Sequence, residues 1–176
     1  MSGHNKWSKI KNKKGAEDAK KSQVFSKISK MITAESKKCG GDVNSPSLAT
    51  VIETAKKENM PKDTIERAVK KGTDVNTAAM ENVTYETYGP GGVAIIIEGL
   101  TDNKNRTAGE VRHILAKQGF ELAAQGAASW AFAKEGGKWV PTSTVGISED
   151  DGSKLGDLID NLEEFEDVQE VFTNAE

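Results

Sequence analysis

Hydrophobic positions recur at helical spacing in three successive stretches. Val24, Phe25, Ile28, Met31 and Ile32 fall at i, i+1, i+4, i+7 and i+8, one face of a helix that begins near Ala16. Lys37 and Lys38 suit its last turn, and Gly40-Gly41 can supply a left-handed stop. A second helix is predicted from about Pro46, with Leu48, Val51, Ile52 and Ala55 inward. A third follows Pro61, with Ile65, Ala68 and Val69 inward and Gly72 as its end signal. Three amphipathic helices with short connections predict a small helical bundle.

The period then changes to two. Val83–Tyr88 alternates, Gly89-Pro90-Gly91-Gly92 interrupts, and the apolar run Val93–Ile97 follows, together one bent or interrupted β region. A helix is predicted over 106–118, with Ala108, Val111, Ile114 and Leu115 on one side and Gly119 after it. Ala128, Trp130 and Phe132 alternate as a strand; Lys134–Lys138 is a hairpin turn leading to a strand at about 139–147. Ser148-Glu149-Asp150-Asp151 resembles a capping box, opening a helix that carries Leu155, Leu158, Ile159, Leu162 and Phe165. Val168–Thr173 closes as a strand. The order β-α-β-β-α-β is the ferredoxin-like arrangement, whose sheet would bury one face under two helices. The expected class is therefore α+β: a basic tail plus helical bundle at 1–72, a linker at 73–82, and a ferredoxin-like domain at 83–176.

Charge divides the chain at the same place. Residues 1–72 hold 17 Lys/Arg against 8 Asp/Glu, a net of +9, whereas residues 73–176 hold 7 against 19, a net of −12. A basic half joined to an acidic half predicts a polyanionic partner for the first, with the second held away from that surface. The bland alternative is a lysine-rich solvated face that keeps the chain soluble. The run Val93–Ile97 is far too short to span a bilayer, so no membrane partner is expected. The basic opening Met1–Trp7 is followed by no apolar stretch, and Glu17 and Asp18 come long before the first arginine, Arg67. Neither a secretory leader nor a transit peptide reads that way, and the expected compartment is the cytoplasm.

Catalytic chemistry is poorly represented. Cys39 is the sole cysteine and His4 and His113 the sole histidines, which leaves neither a multi-Cys zinc site nor an obvious triad. The Gly89–Gly92 turn lacks the lysine and following helix of a phosphate loop. The acids at Asp150-Asp151 and Glu163-Glu164 read as a cap and a solvated face. No enzyme activity, cofactor or metal is expected.

The basic segment carries the stronger signal. Lys6, Lys9, Lys11, Lys13, Lys14, Lys20 and Lys21 supply flexible point charges suited to phosphates, while Arg67, Arg106 and Arg112 alone offer the fork that reads guanine. Binding dominated by the nucleic-acid backbone is expected. Trp7, set among the lysines, either stacks on an exposed base or pins the tail to the bundle. A secondary candidate is the loop Thr101–Thr107, where Asn103, Lys104, Asn105 and Arg106, with Arg112 beyond, sit beside a helix N-terminus; it binds phosphate or peptide backbone, or is simply a well-capped loop.

Five stretches in order carry a resemblance: Ser2–Lys11 (SGHNKWSKIK), Asn59–Ala68 (NMPKDTIERA), Tyr88–Ala94 (YGPGGVA), Thr101–Thr107 (TDNKNRT) and Val111-Arg112-His113. Together they resemble the YebC/PmpR family, which includes the mitochondrial translational activator of cytochrome c oxidase subunit I; Pro141–Val145 and Asp167-Val168-Gln169 also fit. The resemblance implies the helical and ferredoxin-like domains. Family members usually carry a further domain between the strands near 128–132 and 139–147; only Lys134–Lys138 stands there in this chain. It further implies a ribosome- or rRNA-associated translation factor or translational activator, or else a DNA-binding transcriptional regulator. Scarce arginine, the lysine-rich tail and the absence of a recognisable helix-turn-helix favour rRNA, with DNA second. A third reading, from the ligand-binding habits of ferredoxin-like domains, is a small-molecule-sensing module.

Overall fold

The computed structural model describes residues 17–176, which pack as two compact units, one ending at Glu81 and the other running from Asn82 to Glu176. The first is helical: α1 (Glu17–Cys39), α2 (Pro46–Lys57) and α3 (Lys62–Thr73). The apolar positions at helical spacing meet in one core of Ile28, Ile32, Leu48, Ala55, Met60, Ile65 and Ala68, with Phe25, Cys39, Val51, Ile52 and Val69 at its margin. Pro46 sits in the first turn of α2, where its missing N–H costs nothing. At the other end of α2, Asn59 adopts φ 60° while Asn59 N–H donates to Lys56 O and Met60 N–H to Ala55 O, both at 3.0 Å. This is a Schellman turn, and it folds Met60 back into the core beside Ala55.

Gly72, expected as a stop, lies inside α3 and is buried. A methyl group there would come within 2.5 Å of Ser36 Cβ and 2.6 Å of Thr33 O, so glycine is what permits α1 and α3 to touch. The contact is sealed by two hydroxyls of α1: Thr33 Oγ1 donates to Ala68 O (3.2 Å) and Ser36 Oγ to Val69 O (2.6 Å).

The second unit is α+β. Its sheet comprises β1 (Glu81–Tyr88), β2 (Ala94–Thr101), β3 (Leu122–Ala123) and, after the hairpin described below, β6 (Val168–Thr173), in spatial order β3-β1-β2-β6. The bent β region of the sequence is thus two neighbouring strands joined by a short 3₁₀ turn at Pro90–Gly92. Helices α4 (Lys104–Lys117) and α5 (Glu149–Glu164) supply the expected helical layer. Val111 and Leu115 from α4, Leu155, Leu158, Ile159 and Leu162 from α5, and Ile95, Ile97, Val168 and Val171 from the sheet form the main core, all at most 1% exposed. Ser148 caps α5, accepting at Oγ from Asp151 N–H (3.1 Å), as the box motif predicts.

The segment expected as a strand through Ala128, Trp130 and Phe132 departs from that reading. Ser129–Ala131 is a 3₁₀ turn, and the buried positions are Ala128, Ala131 and Phe132 rather than every second residue. Only then do β4 (Phe132–Glu135) and β5 (Lys138–Pro141) pair, as a separate two-stranded hairpin. Its tip is Gly136-Gly137, at φ 56° and 80°, the left-handed pair that a tight hairpin turn demands. The hairpin covers the sheet's other face, where Ala94, Ile96 and Phe172 pack with Ala128, Ala131, Phe132 and Trp139. Burial on both faces explains why β2 is uninterruptedly apolar from Ala94 to Ile97.

Candidate nucleic-acid interface

Of the predicted basic residues, Lys6, Trp7, Lys9, Lys11, Lys13 and Lys14 lie outside the described residues. Lys20 and Lys21 fall in the first turns of α1; Lys21 is exposed, its ammonium 5.9 Å from the Phe25 ring centroid, whereas Lys20 is half-buried. Charge continues through the bundle in a regular pattern that the sequence contains but periodicity does not reveal. Each helix ends on a lysine pair: Lys37-Lys38, Lys56-Lys57 and Lys70-Lys71. Cations in the last helical turn face the partial negative charge of free carbonyls, so these pairs stabilise the helices whatever else they do. Several basic side chains of the bundle meet nearby acids, among them Lys38–Glu35 at 2.8 Å, Lys57–Glu53 at 3.6 Å and Lys62–Glu66 at 3.6 Å. Lys56, Lys70 and Lys71 form no ion pair among the described residues and stand exposed.

In the second unit the loop between β2 and α4 forms a closed polar network. Asn103 caps α4, its Oδ1 accepting from Arg106 N–H at 3.1 Å. Thr107 Oγ1 lies 2.8 Å from both Thr101 Oγ1 and Asp167 Oδ2. Arg106 Nη2 donates to Asp102 Oδ1 (2.8 Å) and to Asp167 Oδ2 (3.1 Å). Asp167 is buried, and the hydrogen bond to it, then the one to Asp102, raises the Arg106 pKa. Arg106 is bonded to Asp102 and Asp167, and it, Lys104 and Asn105 are all exposed on the first turn of α4. Arg112, also exposed, borders a separate cleft of about 640 Å³ with Thr84, Tyr85, Leu122 and Gln125. Burial pushes the Tyr85 phenol upward, Arg112 opposes and Asp167 adds to the rise.

One ionised group escaped the sequence reading. The Glu86 side chain, 5% exposed within β1, accepts from the backbone N–H groups of Gly126 (2.6 Å), Ala128 (2.9 Å) and Ser129 (2.6 Å). Burial pushes its carboxyl upward, but these bonds together outweigh that and hold its pKa below the usual carboxylate range. Glu86 thereby fixes the segment leading to the hairpin. No local signal marks it, because its partners lie some forty positions away. Among the described residues no group of His, Cys, Asp and Glu is arranged to hold a metal ion, His113 is exposed on α4, and no helix is long and apolar enough to cross a membrane.

Comparison with known proteins agrees with this architecture. Residues 5–75 match the family described as the TACO1/YebC protein N-terminal domain, and residues 80–138 and 136–175 match the TACO1/YebC second and third domain. A relative from Petrotoga mobilis is 52% identical over 147 residues, 82% of this chain and 59% of that protein. Another, from Desulfosudis oleivorans, is 46% identical over 180 residues, the whole of this chain and 72% of that protein. Both are named "Probable transcriptional regulatory protein". This chain thus spans about 59% of the length of the first relative. The crystal structure of a conserved hypothetical protein from Aquifex aeolicus superposes with a TM-score of 0.79 at 33% identity, covering 95% of each chain. With both units matched and the fold shared, the chain belongs to the TACO1/YebC family.

Proposed function

We propose that this chain is a non-enzymatic, nucleic-acid-binding regulator of gene expression acting in the cytoplasm, and that its basic leading segment supplies the grip. The observation that carries the reading is the division of charge, +9 over residues 1–72 against −12 over residues 73–176. Lys6, Lys9, Lys11, Lys13, Lys14, Lys20 and Lys21 make the first contact with phosphate, with Trp7 as a stacking side chain. Lys104, Asn105 and Arg112 form a secondary contact; Arg106 beside them is bonded to Asp102 and Asp167. The names of the relatives favour transcriptional regulation, for which a DNA partner is the reading proposed.

The second reading, an rRNA-associated translation factor, keeps one specific argument. Lysines outnumber arginines 21 to 3, and with Arg106 bonded to Asp102 and Asp167 the chain has little equipment for reading base edges in a duplex. We further infer that the chain is a short form in which the extra length of its relatives falls at the β4–β5 tip. Two matched segments meet at 136–138, where Gly136-Gly137 makes the turn.

Crosslinking in cells followed by sequencing of the attached nucleic acid separates the readings. Recovery of discrete promoter DNA supports the transcriptional one, and recovery of rRNA supports the translational one. Recovery of neither overturns the proposal. Alanine at Lys9, Lys11, Lys13 and Lys14 together is expected to weaken binding while leaving the thermal transition unchanged.

A further inference from the structure

Helices α2 and α3 each pack on α1 but scarcely on one another. The Schellman turn at Asn59 returns Met60 to the core while the two helices diverge, and a groove of about 490 Å³ opens between them. Its floor is aliphatic: Ile52, Met60, Ile65 and Val69, with Val43 at one end. Val43 is 51% exposed, on the loop between α1 and α2, and contributes nothing to the bundle core. Lys56, Lys62 and Lys70 line the groove with a single acid, Glu66, which lies 3.6 Å from Lys62. Lys56 and Lys70 have no acidic partner among the described residues.

Such a surface selects its occupant by two features at once. Its floor has no aromatic ring on which a base could stack and no side-chain group that could read a base edge, so a nucleic acid would meet only the lysines. An apolar channel bordered by uncompensated ammonium groups instead complements an apolar stripe flanked by carboxylates. In secondary-structure terms that is an amphipathic helix with hydrophobic side chains at i, i+3, i+4 and i+7 and Asp or Glu beside them. We propose that the α2–α3 groove docks an acidic amphipathic helix of a protein partner, with Val43, Ile52 and Val69 receiving its apolar anchors and Lys56 and Lys70 pairing with its acids. The regulator then grips nucleic acid through its basic leading segment and a protein through this groove.

The test uses the full chain and a fluorescein-labelled synthetic helix carrying leucines at that spacing with glutamates on both flanks, read by fluorescence anisotropy. A scrambled peptide of the same composition is the control. Val43→Asp changes a half-exposed loop residue, and Lys56→Glu with Lys70→Glu reverses two exposed charges; thermal melts confirm that both variants fold. Each is expected to weaken the peptide's affinity by about tenfold or more. Raising salt from about 0.05 to about 0.5 M should weaken wild-type binding through the lysine contribution. Binding of polyanions by Val43→Asp should stay at the wild-type level, which separates this proposal from the nucleic-acid reading. Failure of wild-type chain to bind the helical peptide, equal binding of the scrambled one, or wild-type affinity in both variants would overturn the assignment. Displacement of the peptide by a single-stranded oligonucleotide in a manner abolished by Val43→Asp would give the groove to nucleic acid instead.

Discussion

Glu86 sits in a demanding environment for a carboxylate. A carboxylate 5% exposed is tolerable only because three backbone N–H groups point at it. Its pKa in the folded chain lies below that of an unfolded glutamate, so the unfolded state binds the proton more readily. Its contribution to stability is therefore complete above the unfolded value and is lost as pH falls through the folded one. Glu86→Gln keeps the shape but exchanges a charged acceptor for an amide, whose NH₂ confronts one of the three donors. A loss of about 2 kcal/mol is expected in urea denaturation at neutral pH, together with a flatter decline of stability on the acid side. An unchanged midpoint would mean that water replaces the carboxylate without cost. The network around Arg106 behaves differently, since the guanidinium is exposed while Asp167 is buried. Asp167→Asn is expected to loosen the N-terminus of α4, seen as faster amide exchange at Asn103–Thr107, because Thr107 and Arg106 share that one carboxylate oxygen.

The elements were legible wherever a period ran long enough to specify a face. All three bundle helices, α4 and α5 follow from apolar spacing, and the Ser148 cap and Gly136-Gly137 turn follow from local chemistry. Misreadings arose where the deciding contact lies far off in sequence. Gly72 looks like a stop because glycine commonly ends helices; its actual role is set by Ser36 and Thr33, more than thirty positions earlier. Gly72→Ala should accordingly destabilise the helical unit by about 1–3 kcal/mol, despite alanine's better helix propensity, because a methyl at 2.5 Å must push α1 and α3 apart. A rise in melting temperature would show that the helices can separate freely. Ala128, Trp130 and Phe132 alternate as a strand would, yet Glu86 gathers the preceding amides into a turn and leaves Trp130 61% exposed. The Thr101–Thr107 cations were visible in the sequence, whereas the acid that claims Arg106 stands sixty residues later.

At the scale of the molecule the organising fact is electrostatic asymmetry. If about six lysines of the leading half contact phosphates of a single strand, affinity should fall with a log–log salt slope of about −4. Filter binding across a salt series measures it, and a slope near zero would remove the electrostatic argument. Residues 73–176, a net of −12, should repel the same ligand over most of their surface and leave only the contact at Lys104, Asn105 and Arg112.

The β4–β5 hairpin has a consequence for where the chain tolerates added length. Its two strands seal the second sheet face with Phe132 and Trp139, while the apex between them, Gly136-Gly137, projects nothing into the interior. An insertion at that apex is therefore expected to leave the buried side chains where they are: a short flexible segment placed between Gly136 and Gly137 should leave the melting temperature close to that of the parent chain.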